Sequence, residues 1–232
     1  QNEEGIYTLQ SSAVCIDNHT GYVKAIVGGR NQNLPGYTLN RAYQSYRQPG
    51  SAIKPLIVYA PALEGKYTPD TIVQDVKTEE GPSNSSGYYE GDITLRRAVE
   101  ASKNTVAWNL LEEMTPQAGL EYLKKMKFSR LDAKDERPTS ALGGFTNGVS
   151  AVEMASGYAA IVHDGKYREP TCITRITDAE DNVILETANE EVDVYKKNAA
   201  RMMTDMLVSV MQEGTGRGLA ISTMPSAGKT GT

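Results

Sequence analysis

The stretch Arg47-Gln48-Pro49-Gly50-Ser51-Ala52-Ile53-Lys54-Pro55 constrains this chain more than any other, because it sets a serine and a lysine three residues apart at the head of an apolar run. The run continues as Leu56-Ile57-Val58-Tyr59-Ala60. Pro49-Gly50 is turn punctuation and Pro55 has no N–H to donate, which predicts a turn leading into a helix whose first donors would be orphans in any case. Ser51 and Lys54 then share one face of a helical or 3-10 turn, so the amine can reach the hydroxyl. A serine hydroxyl is unreactive at neutral pH unless a base takes its proton. A lysine can be that base only where burial or a second cation lowers its pKa. An isolated S-x-x-K is more commonly a capping serine beside a solvated lysine, so the rest of the chain must supply what makes this one different.

With 232 residues, 39% hydrophobic and 23% charged, the chain has the composition of a globular protein with a substantial core. Its formal net charge of -5 argues against nucleic acid as a partner. The two cysteines, Cys15 and Cys172, lie in strand-like apolar runs with no C-x-x-C and no histidine at ligand spacing, so neither a metal nor a cofactor is expected. Two buried thiols and one bridge are both compatible with that placement. No apolar run reaches about eighteen residues, and Gln1-Asn2-Glu3-Glu4 does not read as a signal peptide. Any anchor or targeting signal is expected outside these residues.

In chain order, Ser12–Ile16 and Tyr22–Val27 flank the turn-rich Asp17-Asn18-His19-Thr20-Gly21 and predict a β-hairpin. The helix after Ser51 is expected to kink at Pro61 and stop at Gly65. No long period survives from Lys66 to Asp92, and Thr78–Gly87 reads as a surface loop at the rim of a cleft. Thr94 caps a helix over Leu95–Glu100, and after a break at Ser102-Lys103-Asn104 a second helix covers Thr105–Glu112. Further helices are predicted over Gln117–Lys127, Val152–His163 and Asn198–Gln212, the last with Met202, Met206 and Val210 at core spacing. Cys172–Ile176 and Asn182–Leu185 predict a second hairpin. Gly228-Lys229-Thr230 mimics the end of a phosphate loop, but that pattern requires glycine at position 223, which is Thr223. Gly214-Thr215-Gly216-Arg217-Gly218 lacks dinucleotide-loop spacing and reads as a mobile connection.

Three short motifs occur in order: Ser51-Ala52-Ile53-Lys54, Ser102-Lys103-Asn104 and Lys229-Thr230-Gly231. Together they resemble the S-x-x-K, S-D-N and K-T-G signature of penicillin-binding proteins and class A β-lactamases. Their predicted contexts agree: a helix start, an inter-helix loop and a strand opened by glycine. With Arg47-Gln48-Pro49-Gly50, Ala141-Leu142-Gly143-Gly144, Gly148-Val149-Ser150, Glu153-Met154-Ala155 and Gly214-Thr215-Gly216, the likeness is to the transpeptidase domain of a bifunctional class A penicillin-binding protein, over nearly the whole chain. The central motif has lysine where the pattern has aspartate, which points away from the β-lactamases.

The resemblance implies an α/β fold in which an antiparallel sheet flanked by helices (about 1–42 and 212–232) joins a mainly helical part (about 43–211). Ser51 would attack a D-Ala-D-Ala stem peptide of peptidoglycan, or a β-lactam, to give an acyl-enzyme. Lys54 would be its base, with Ser102 and Lys229 passing the proton. Asn104, Thr230, Gly231 and Thr232 would bind substrate, and the backbone N–H groups of Ser51 and Thr232 would form the oxyanion hole. Hydrolysis of the acyl group instead would make a D,D-carboxypeptidase, and its retention a β-lactam receptor. A β-lactamase would need a water-activating carboxylate, and no E-x-x-L-N stretch is present. The family places further strands and a helix after K-T-G, so the expectation is that these residues are a truncated piece of the domain or, the favoured reading, that a second polypeptide separated by cleavage supplies the rest. The implied location is the outer face of a bacterial cytoplasmic membrane, with an N-terminal anchor preceding Gln1.

Overall fold

The computed structural model of the chain describes residues 7–31, 36 and 38–231. The first hairpin forms as predicted: β1 (Ala13–Ile16) and β2 (Val23–Val27) pair antiparallel, Ala13 opposite Val27. After α1 (Arg41–Gln44) comes the Ser51 helix, a 3-10 turn over Gly50–Ile53, a π-helical segment over Pro55–Tyr59 and α2 (Ala60–Leu63). The region from Lys66 to Asp92 is not the structureless stretch its lack of periodicity suggested. It contributes β3 (Ile72–Asp75) and β4 (Gly91–Thr94), an antiparallel pair whose connecting loop includes Thr78–Gly87. Neither Ile72-Val73-Gln74-Asp75 nor Gly91-Asp92-Ile93-Thr94 sustains an alternation of apolar and polar residues, so neither leaves a period-2 signal.

The helical half follows the predicted boundaries closely because its caps are strong. Thr94 Oγ1 accepts from Arg97 N and opens α3 (Leu95–Glu100), and α4 (Asn104–Met114) follows the break. Thr115 caps α5 (Pro116–Lys125), and Ser150 with Glu153 forms a reciprocal capping box at α6 (Ala151–Val162). Beyond α6 lie β5 (Lys166–Arg168), the hairpin β6 (Arg175–Thr177) with β7 (Val183–Glu186), β8 (Glu191–Asp193) paired to β5, and α7 (Lys197–Glu213). Cys15 and Cys172 are both exposed free thiols, neither buried nor bridged. Lys229–Gly231, expected as a strand, carries no strand pairing among the described residues.

The Ser51 helix is the axis of the core. Ile53, Leu56, Ile57, Val58, Tyr59 and Ala60 are all inaccessible to solvent, as a helix that is apolar all round must be. Close approach is possible because the partners use glycine: a methyl at Gly119 of α5 would lie 2.8 Å from the Ile57 carbonyl oxygen, and one at Gly157 of α6 2.8 Å from Leu56 Cδ1. On α7, Met203, Met206 and Val210 are buried and Met202 only partly so.

Two prolines each remove one intrahelical donor that a carbonyl of this helix would otherwise meet. The 3-10 partner of the Ala52 carbonyl would be the nitrogen of Pro55, and the π-helical partner of the Leu56 carbonyl would be that of Pro61; neither carries hydrogen. Tyrosines from outside fill both positions. Tyr158 Oη donates to the Ala52 oxygen at 2.7 Å, and Tyr195 Oη donates to the Leu56 oxygen at 2.7 Å. The irregularity predicted at Pro61 is thus spread over the π-helical segment before it, and the helix ends at Leu63. Tyr195→Phe should cost about 1–3 kcal/mol of unfolding free energy, and Tyr158→Phe a similar amount. Denaturant unfolding measures this; a loss within about 0.5 kcal/mol for both would refute the carbonyl account.

Candidate active site

Ser51 sits in the 3-10 turn Gly50–Ile53 and is buried, 5% exposed. The turn is held from behind. Arg47 and Val149 exchange two backbone hydrogen bonds, Arg47 N to Val149 O at 2.9 Å and Val149 N to Arg47 O at 2.8 Å. Gly143, at φ +84°, backs onto Gly50 so tightly that a methyl would lie 2.4 Å from the Gly50 nitrogen. These contacts give the glycine-rich 141–150 segment its function in the site: it fixes the backbone on which Ser51 stands.

Lys54, one turn later, is fully buried. Its amine donates to three oxygens: Ser102 O at 2.8 Å, Lys103 O at 3.3 Å and Asn104 Oδ1 at 2.7 Å. Burial, and secondly the positive charge of Lys229, bring the amine down to about 7 from the ordinary lysine range. Ser102 has φ +55°, a left-handed conformation that is costly for serine. Here it lets one residue serve two amines, since Lys54 Nζ takes its carbonyl while Lys229 Nζ donates to its hydroxyl at 2.7 Å. Lys229, half-buried, is itself held down to about 8 by burial.

The segment carrying Lys229 is tied to the same place. Gly228 N donates to Leu207 O at 3.1 Å, and Thr230 Oγ1 shares a 2.7 Å hydrogen bond with Thr215 Oγ1. A methyl at Gly231 would lie 3.0 Å from the Pro49 carbonyl oxygen and 3.5 Å from Ala52 Cβ, so the backbone here passes directly against the Ser51 turn. The Gly214–Gly218 connection, expected to be mobile, is anchored by Thr215 N to Glu100 O at 3.0 Å. Ser51, Lys54, Ser102, Asn104, Lys229, Thr230 and Gly231 are therefore brought together. Thr232 lies outside the described residues.

Asn104 is the first residue of α4 instead of part of the loop, and one of its amide N–H groups is spent on Ser83 O at 2.9 Å. Sequence reasoning also missed what lies beneath the central motif. Lys103 is 3% exposed, and its amine meets Asp75 Oδ2 at 2.7 Å and Glu90 Oε1 at 2.9 Å. This explains lysine at the middle position: the side chain meets a carboxylate pair beside the β3–β4 hairpin. The available signal was the lysine itself, since a cation between two buried helices requires a buried carboxylate.

Burial by itself would push the Asp75 carboxyl up. The hydrogen bonds from Lys103, Thr105, Asn84 and the Glu90 N–H overcome that and hold it at about 2, below its ordinary 3.8. A depressed carboxylate stabilises the fold fully above its unfolded value and loses that contribution as pH falls through the folded value. Unfolding free energy should accordingly drop by about 2 kcal/mol between pH 3.8 and about 2 on account of this group. Asp75→Asn should remove that component, as denaturant titrations at both ends of the window would read; an unchanged acid dependence in the variant would contradict it. Asp75→Ala, which leaves Lys103 only Glu90 as a carboxylate partner and strands the buried Thr105 and Asn84 donors, should cost about 3–5 kcal/mol.

Among the described residues no group of three metal-ligating side chains occurs, and no helix is long and apolar enough to cross a membrane.

Comparison with known proteins places this geometry in a family. The penicillin binding protein transpeptidase domain matches residues 11–232. Penicillin-binding protein 1A of Clostridium perfringens strain 13 is 33% identical over 250 aligned positions, covering all of this chain and 37% of the relative. Penicillin-binding protein 1F of Bacillus subtilis is 38% identical over 219, covering 93% of this chain and 29% of the relative. The chain thus spans about a third of the length of these relatives. Among solved structures, the D,D-transpeptidase domain of a peptidoglycan glycosyltransferase from Eggerthella lenta superposes with TM-score 0.77 at 25% identity, covering 96% of this chain and 66% of that one. The PonA1 protein of Mycobacterium tuberculosis, in complex with penicillin V, shares the fold at TM-score 0.75 and 23% identity, covering 90% of this chain and 58% of that one.

Proposed function

Because this chain belongs to the penicillin-binding protein transpeptidase family, we propose that it catalyses D,D-transpeptidation of peptidoglycan stem peptides through an acyl-enzyme on Ser51, and that β-lactams acylate the same serine. The observation that carries the reading is the convergence of two lysine amines on Ser102, one on its carbonyl and one on its hydroxyl, beside a buried serine. A solvated structural lysine needs neither. Ammonium groups that share a partly dry pocket favour losing a proton, and the more buried one, Lys54, does so near neutrality.

The chemistry follows from that arrangement. Neutral Lys54 takes the Ser51 proton as Oγ bonds to the carbonyl carbon between the two terminal D-alanines, and the carbonyl oxygen becomes an oxyanion. The Ser51 N–H at the helix start, with that of Thr232, would receive the negative charge. Collapse breaks the C–N bond, and the departing D-alanine amine takes its proton from the Ser102 hydroxyl, which Lys229 resupplies. An acceptor amine then attacks the ester carbonyl carbon and gives up a proton through the Ser102 hydroxyl to the now neutral Lys229, while the bond to Ser51 breaks and its Oγ recovers a proton from Lys54. Lys229 and Thr230 would hold the terminal carboxylate, and the second N–H of Asn104 the substrate backbone. In a β-lactam the broken C–N bond leaves the amine tethered in the acyl group, so it stays in the site and the ester persists. That one structural neighbour was solved in complex with penicillin V supports the same ligand class here.

Glu153 supports transfer over β-lactam hydrolysis. Its two oxygens are engaged by Ser129 N at 2.7 Å and by Ser150 N at 2.7 Å, so the carboxylate is committed to capping α6. The substrate class implies a location on the outer face of a bacterial cytoplasmic membrane, with D-Ala-D-Ala stem peptides and amine acceptors as partners.

Mass spectrometry after incubation with a penicillin should show a stable adduct, absent from Ser51→Ala. Lys54→Ala and Lys229→Ala should acylate about 10²–10⁴-fold more slowly. An adduct that survives in Ser51→Ala, or that is released rapidly as hydrolysed drug, would overturn the assignment.

A further inference from the structure

The three acceptors around Lys54 are not equivalent. Two are main-chain carbonyls fixed by the turn between α3 and α4, while the third, Asn104 Oδ1, belongs to a side chain that could rotate. What prevents rotation comes from the loop between β3 and β4. Ser83 O accepts from Asn104 Nδ2 at 2.9 Å on the side opposite Lys54. A flipped amide would aim N–H groups at the Lys54 ammonium and oxygen at the Ser83 carbonyl, two repulsive contacts in place of two bonds.

Ser83 is exposed. Its neighbour Asn84 supplies the anchor. Asn84 is 5% exposed, and its amide is used at both ends. Oδ1 accepts from Asn104 N at 2.8 Å and more weakly from Thr105 N at 3.4 Å, capping α4 from a distant loop. Nδ2 donates to Asp75 Oδ1 at 2.6 Å and to Tyr88 O at 3.1 Å. Asp75 in turn accepts from Thr105 Oγ1 at 2.6 Å and pairs with Lys103. The chain of bonds runs from buried Asp75 through Asn84 to the start of α4, and ends on the Lys54 amine.

We propose that Asn84 is a positioning residue for the base: through Asn104 it sets the side-chain acceptor that holds the Lys54 amine in register with Ser51. The inference rests on Lys54 being the base for Ser51. As an ammonium, Lys54 fills all three acceptors. As a neutral amine it has two hydrogens and a lone pair, and the 3.3 Å contact to Lys103 O is the one released. The short bonds to Ser102 O and Asn104 Oδ1 then orient the lone pair. Loss of the Asn104 acceptor both frees the amine to turn and disfavours its charged form. The charged or titratable groups facing this path are Lys229 on the Ser102 side, and Asp75, Glu90 and Lys103 behind Asn84.

The test is the rate of acylation by a fluorescent penicillin against pH, in the intact protein and in Asn84→Ala, Asn84→Ser, Asn104→Ala, the Asn84→Ala/Asn104→Ala double variant and Ser51→Ala. In the unsubstituted protein the rate should rise with pH through about 7, as Lys54 becomes neutral. Asn84→Ala should lower the limiting rate about 10- to 100-fold and move the midpoint down by about one pH unit. Asn104→Ala should move it equally, and the double variant no further. A purely structural loss lowers the fraction of protein that labels without moving the midpoint. Should Asn84→Ala not fold, Asn84→Ser, which keeps a hydroxyl acceptor, is read in the same way. An unmoved midpoint in the folded variant, or additive shifts in the double, would overturn the positioning role. Labelling of Ser51→Ala would instead defeat the reading on which it rests.

Discussion

A lysine side chain placed where water cannot reach it is the constraint on which this structure turns. Lys54 is fully buried, and an ammonium there survives only if oxygens replace its hydration. Ser102 O, Lys103 O and Asn104 Oδ1 do so, which requires α3 and α4 to break at one place and Ser102 to accept a left-handed backbone. The same three oxygens keep the charged form accessible while burial and Lys229 press against it. The balance leaves the amine near neutrality, where it can both take and return a proton.

Holding such a site demands rigidity from the helix that carries it, and the sequence of that helix works against regularity. Pro55 and Pro61 remove two backbone donors within one core helix. The fold answers with Tyr158 and Tyr195, each placing a hydroxyl on a carbonyl whose 3-10 or π-helical partner is a proline nitrogen. Gly143 and Gly231 let two other backbone segments press against the turn, one beside Gly50 and one beside Pro49 and Ala52. Below the site, Lys103 and Asp75 form a buried pair that fixes the geometry of the central motif, made at the cost of desolvating both charges.

Much of this was legible in the residues. The hairpin around Asp17–Gly21, the caps at Thr94 and Ser150, and the long helices announce themselves through turn chemistry, capping side chains and a 3.6-residue period, all local signals. Ser51, Lys54, Ser102 and Lys229 were visible as motifs, and the structure joins Lys54, Ser102 and Lys229 by hydrogen bonds beside the turn that carries Ser51. What was not legible is non-local or irregular. The strands Ile72–Asp75 and Gly91–Thr94 do not sustain an alternation of apolar and polar residues, and Asp75, Ser83 and Asn84 act across 20 or more residues on partners that no spacing rule links. The middle lysine of the central motif stood out as a departure in sequence and is explained only by the carboxylates it meets in space.

The central claim is that Lys54 is neutralised near physiological pH by its surroundings, chiefly burial and then the nearby cation. Nuclear magnetic resonance of the lysine side-chain carbons and nitrogens, followed against pH and assigned with a Lys54→Met variant, reads this directly. The account predicts one lysine titrating near 7, absent from Lys54→Met and moved upward in Lys229→Met, where the second charge is gone. A Lys54 signal that titrates in the ordinary range near 10.5 would contradict it.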